Sequence, residues 1–336
     1  MSPLPRIDQR LAVGTGRRLV PGGPQVSPAE ARQVVDSLYR HAARAAGHVR
    51  EVTGLDAPQD SQVLVVDRRR WIEANVQSFS TLLAGLAEPS PGRRSGSSSA
   101  SVQMGALLSY LATRVLGQYD PFAAQQGVPG RLLLVAPNVL AVERQLGVDP
   151  EDFRLWVCLH EETHRVQFGH ARWLPDHLRL LLADVLAQAD LGDPEVLGRL
   201  VRRLRPGARR GDGSLVDLLT TAEQRERIDA ITAVMSLLEG HADVMMDRVG
   251  PDVVPSVRTI RHRFTRRRER GGPDRVVRRL LGVEAKLAQY RDGARFVRHV
   301  VRRVGVDGFN TVFTSPQTLP TLEEIHQPRR WLDRTR

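Results

Sequence analysis

WVCLHEETHRVQFGH, residues 156–170, places three histidines and two adjacent glutamates within fifteen residues. Inside it, His160-Glu161-Glu162-Thr163-His164 has the spacing HExxH. On a helix, residues four apart share a face with about 5–6 Å between Cβ atoms, so both imidazoles can reach one ion. Neutral imidazole is a good zinc ligand, and Glu161 would stand beside such an ion, not on it. From there its carboxylate could take a proton from water. Val157, Leu159 and Val166 make much of the surrounding helix surface apolar. Two histidines and a glutamate buried there without a ligand would carry a desolvation cost. The competing reading is a polar helix face hydrogen-bonded to its neighbours.

Local signals predict the helix itself. Asp149 is a candidate N-cap, followed by Pro150 and by Asp152 at N3, and Gly169 is the expected stop. GRLLLVAP, residues 130–137, precedes it as a strand.

A catalytic zinc site usually takes three protein ligands. His170 has the spacing of the third histidine in HExxHxxGxxH, but Gln167 stands where that pattern needs glycine. Glu239, in MSLLEGHADVMMD (235–247), is the stronger candidate. It interrupts an apolar helical stripe of Ile228, Ile231, Met235, Leu238, Ala242 and Met245, where a carboxylate should be paired or metal-bound. Asp243, one turn on, could accept a hydrogen bond from a ligand imidazole. A buried network with arginines would also account for both acids. His241 and Tyr290 are candidate transition-state donors, although Tyr290 also suits a core position. Glu162 reads as a solvated charge near Arg165.

Elsewhere the pattern is mainly α with a small β component. Ser27-Pro28-Ala29-Glu30 is a capping box opening a helix to about Gly54. SQVLVVD (61–67) reads as a strand, followed by a helix from Asp67. VQMGALLSYLATRVLGQY (102–119) reads as one helix, and Asn138 as an N-cap. Residues 1–26 are expected to be an extended segment, and 27–336 a single domain. EPSPGRRSGSSSAS (88–101) is expected to be a mobile loop that could gate a cleft.

Composition narrows the class. The chain has 336 residues, 41% of them hydrophobic, as globular chains do. Its one cysteine, Cys158, excludes an intrachain disulfide and Cys-based zinc ligation. No apolar leader and no membrane span are visible, so the expected location is cytoplasmic. The +11 charge is almost all arginine, and Lys286 is the single lysine. RHRFTRRRER (261–270) offers only Phe264 for stacking, so a solvated helix face is preferred to a nucleic-acid surface.

WVCLHEETHRVQF, LLEGHADVMMD, VPSVRTIRHRF, QYRDGARFV and DGFNTVFTSPQTLPT together resemble bacterial zincin-like hydrolases. Members are described as zinc-dependent metalloproteases or as associated with deazaflavin-coenzyme biosynthesis. The resemblance extends to RRRWIEANVQSF, LLSYLATRVLGQYD and LLLVAPNV, covering about residues 30–330. It implies a zincin-like core made of an HExxH helix and a second helix bearing a glutamate. It also implies Zn²⁺ on His160 and His164, with Glu239 as third ligand and Glu161 as the catalytic glutamate. The expected activity is hydrolysis of a peptide or amide bond. The alternatives are a noncatalytic zincin-fold binding protein and, behind it, a basic nucleic-acid binder.

Overall fold

The computed structural model describes residues 7–58, 60–84, 98–126, 130–188, 222–269 and 283–335. Contacts group the chain into two compact units, one of Pro5–His170 with Met245–Glu269, the other of Ala171–Val244 with Arg270–Arg336.

The first unit is built on β1 (Gln62–Val66), β2 (Gly117–Asp120) and β3 (Arg131–Val135), in the order β1-β3-β2. β3 is central. It pairs in parallel with β1, Leu133 opposite Leu64, and antiparallel with β2, Gly117 opposite Leu134. Leu132 to Val135 are all buried, which explains an unbroken LLLV run where a half-exposed strand would alternate. The expected strands at 61–67 and 130–137 are therefore present. β2 was not expected, because its GQYD sequence follows an apolar helical stretch. That helix ends early, and pairing with β3 makes the last residues a strand.

Helices cover the sheet: α1 (Gln9–Leu19), α2 (Pro28–Thr53), α3 (Arg68–Ala84), α4 (Ser98–Leu111), α5 (Ala136–Leu146) and α6 (Pro150–His170). α2 starts and stops as its sequence dictates: the Ser27 hydroxyl accepts from the Glu30 N–H, and Gly54 ends it at φ 62°. α1 corrects the expectation of an extended N-terminal segment. The Asp8 carboxylate caps it, and Ala12 is fully buried in a core with Ile72, Val76, Leu108 and Leu133. Residues 85–97, most of the loop expected at 88–101, lie outside the described residues, while Ser98–Ser101 begin α4.

Asn138 is a further correction. It lies inside α5 and spans loops instead of capping, donating to Ala112 O and Val115 O and accepting from Arg68 Nε. Asp149 does cap α6, accepting from the Asp152 N–H at 2.9 Å. Gly169 does not stop α6, which runs on to His170. A Cβ at Gly169 would lie 2.8 Å from Ala57 Cβ, so glycine admits the chain segment packed against it.

The second unit contains α7 (Leu174–Gln188), most of α8 (Ala222–Val249), α10 (Val283–Asn310), α11 (Leu322–His326) and α12 (Pro328–Thr335). Phe296, Val297, Val300, Phe309 and Trp331 form its apolar interior. Glu324 ties α11 to α12 through two hydrogen bonds from Arg334, at 2.7 and 2.9 Å. α9 (Val257–Glu269) belongs to the first unit. Its arginines are committed in part: Arg261 pairs with Asp247, Arg263 donates to Leu146 O and Arg267 to Gln145 Oε1. This basic helix thus helps fix its own unit, so its arginines are not merely solvated. Among the described residues, no helix is long and apolar enough to cross a membrane.

Candidate metal centre

α6 carries the histidine pair on a helix whose flanking residues are almost all buried, from Phe153 to Leu159 and at Val166. His160 and His164 are only half-buried, one turn apart on one face. Their Nε2 atoms are 3.2 Å apart, and the ring planes are nearly perpendicular at 89°. Two nitrogens held by one zinc ion at about 2.0–2.1 Å in tetrahedral geometry would be separated by about 3.3 Å. The two rings fit that requirement as they stand.

Gln167 sets the tautomer. Its fully buried side chain places Oε1 2.9 Å from His164 Nδ1, one helical turn further on. The imidazole Nδ1–H donates to this oxygen, leaving the Nε2 lone pair for a metal. Sequence reasoning noticed Gln167 only as the residue standing in place of a glycine. Its i,i+3 spacing from His164 was the available signal.

The two glutamates separate. Glu162 is not a solvated charge: it is buried and held by Arg165 in a two-point ion pair, one arm at 2.7 Å. Burial pushes its carboxyl upward, and the guanidinium pulls it back. Glu161, one helical position (100°) away, is buried at 6% exposure. Cys158 contributes no ligand. Its buried thiol donates to Leu38 O, and burial together with Glu161 and Glu162 pushes its pKa far up.

In the second unit, Glu239 is half-buried on α8 between Leu238, Leu237 and Ala242, which are buried. Met235, assigned by periodicity to the same apolar stripe, is 40% exposed. The helix is fixed beside Glu239 by a close crossing with α10. A Cβ on Gly240 would lie 2.2 Å from the Gly293 carbonyl carbon, and one on Gly293 1.9 Å from Ser236 O. Only two glycines let these backbones approach so far, which gives LLEGHAD and RDGARF a shared structural cause. Asp243 accepts from Arg298 at 3.4 Å. His241 is fully buried, stacked on Phe309 at 5.1 Å and edge-on to Phe313. That is a core setting. Tyr290 lies where side chains are outside the described residues. At the end of α6, His170 Nδ1 donates to Asp56 O, 2.9 Å away.

The three expected metal ligands are His160 and His164 on α6 of the first unit and Glu239 on α8 of the second. Two imidazoles and a carboxylate are a donor set that suits zinc.

Comparison with known proteins agrees over nearly the whole chain. A model of the zincin-like metallopeptidase family matches residues 7–332. A crystal structure of a candidate hydrolase with a novel fold from Chloroflexus aurantiacus is similar at 34% identity and a TM-score of 0.68. The match covers 98% of both chains. No curated protein matches the chain. From its family match and its sheet-and-helix architecture, the chain belongs to the zincin-like metallopeptidase family.

Proposed function

We propose that this protein is a zinc-dependent hydrolase of peptide or amide bonds, with His160, His164 and Glu239 holding the metal and Glu161 as general base. The observation that carries this is the pair of ring nitrogens on α6, 3.2 Å apart, with the far side of one ring held by Gln167. Family membership supports both the metal and the substrate class. Two neutral imidazoles and one carboxylate leave a divalent cation about one net positive charge, which preserves its acidity. Bound there, zinc supplies Lewis acidity, easing deprotonation of water near neutral pH and polarising a substrate carbonyl.

The protein's residues do the rest. Gln167 keeps the His164 ring in the tautomer that offers Nε2. Glu161 takes a proton from the attacking water as its oxygen bonds to the carbonyl carbon. It then delivers that proton to the departing nitrogen, so the C–N bond breaks with a neutral amine leaving. Glu162 takes no part, because Arg165 holds both of its oxygens.

Replacing Glu161 with Gln tests this directly. The expected variant keeps its zinc, measured by elemental analysis, and loses turnover of peptide substrates by about 100-fold or more. Full turnover in that variant would remove Glu161 from the mechanism, and an unsubstituted protein that takes up no zinc would sink the proposal.

A further inference from the structure

We infer that Gly117 is a positioning residue for Glu161, because the side chain missing at the head of β2 is the space that the Glu161 carboxylate occupies. The catalytic meaning of this rests on the general-base role proposed above; the contact itself is independent of it. A Cβ built on Gly117 would lie 2.5 Å from Glu161 Cγ, 2.7 Å from Cδ and 2.8 Å from Oε1. Non-bonded carbon atoms settle at about 3.5–4.0 Å, so the end of the side chain would have to move by about 1 Å. Glycine is not needed here for its backbone. Gly117 is absent from the glycines with positive φ, so alanine suits its backbone. What glycine supplies at this position is space.

The strand cannot yield instead. Gly117 pairs with Leu134 in the ladder, and the next residue, Gln118, donates to Asn75 Oδ1 at 3.0 Å. At the other end, the buried Asp120 carboxylate accepts from Ser78 at 2.5 Å and from Arg131 at 3.0 Å. Arg131 in turn donates to Ala74 O at 2.7 Å, tying β2 and β3 to α3. The backbone of Glu161 is equally committed in the middle of α6. Only the side-chain rotamer of Glu161 is left to move. Displacing a general base by about 1 Å costs on the order of 100-fold in rate. The three atoms nearest that Cβ all belong to Glu161, so the Glu161 carboxylate and not the histidine pair is expected to be displaced.

A double-mutant cycle of Gly117→Ala and Glu161→Ala tests the inference in urea unfolding, with zinc content and turnover of a fluorogenic peptide library measured alongside. Gly117→Ala is expected to lower the unfolding midpoint of the unsubstituted protein and to lower that of Glu161→Ala far less, since the obstructing atoms are gone. Its zinc content and KM stay unchanged while kcat falls on the order of 100-fold. Equal loss of stability in both backgrounds overturns the inference, as does an unchanged kcat. If Gly117→Ala does not fold, recovery of folding in the double variant supports the contact, and failure to recover overturns it. A zinc-loaded unsubstituted protein without turnover would overturn the hydrolase proposal and the role of Gly117 together, whereas absent coupling removes Gly117 alone.

Discussion

At the N-terminal end of α6, Arg154 is enclosed by opposite charge; two turns later on the same helix, two like rings face one another. Arg154 donates to both oxygens of buried Glu143 at 3.0 and 2.7 Å and to Glu151 at 3.1 Å. Glu151 also accepts from Ser37 at 2.8 Å and lies 2.9 Å from His41 Nε2. Every charge there meets its complement, and the cluster links α2, α5 and α6. His160 and His164 bring two nitrogens of the same kind together at 3.2 Å, an arrangement that neutral imidazoles alone reward with one N–H···N bond at best. A cation rewards it far more. On the proposed reading, the difference separates a polar cluster that holds the fold from one that holds a metal.

The comparison can be broken by exchanging the expected effects. His160→Ala should remove one of the three proposed zinc ligands and weaken zinc binding on the order of 1,000-fold, read by competition with a chelator, with little change in apo stability. A variant that binds zinc normally would end the distinction. Next in size, Glu143→Ala leaves the buried Arg154 guanidinium with only the half-exposed Glu151 as counter-charge and should cost about 3 kcal/mol in urea unfolding while zinc affinity is unchanged. Loss of zinc affinity in the folded variant would show that the two clusters are coupled.

Gln167→Leu sharpens the contrast from the other side. It frees the His164 ring to turn and to change tautomer, so zinc affinity should fall about 10–100-fold by titration calorimetry. Unchanged affinity would leave Gln167 as packing alone.

The smallest effect is in acid. Burial raises the Glu151 carboxyl, but hydrogen bonds with Ser37 and His41 and the charges of His41 and Arg154 hold it below its ordinary value of 4.5. The unfolded chain therefore binds the proton first, and stability rises with pH across that window. The contribution is present above pH 4.5 and is lost as pH falls through the folded value. Glu151 is half-exposed, so the slope is shallow. Glu151→Gln should flatten the acid limb of a pH–stability curve. The same limb in variant and unsubstituted protein would show that the charge is not used.

Much of this was legible in the chain because it is local. The Asp149 cap, the run LLLV and the stop at Gly54 each depend on neighbours a few residues away. β2 was hidden because GQYD has no strand preference of its own and becomes a strand only on β3. α1 was hidden because its two glycines weaken helix propensity, while burial of Ala12 restores the balance. Met235 fitted the period of its apolar stripe and still faces outward, since periodicity names a face without saying how wide the cover is.

The spacing of His160 and His164 was settled by sequence alone, because one turn of helix places any i,i+4 pair side by side wherever the helix sits. Glu161 and Glu162 are separated locally by the HExxH spacing and by Arg165, three residues after Glu162 on the same helix. Tertiary structure added what spacing could not show: Glu162 and Arg165 are buried together, and the bare backbone of Gly117 makes room for Glu161. Burial and close approach are properties of what the rest of the chain packs against a residue.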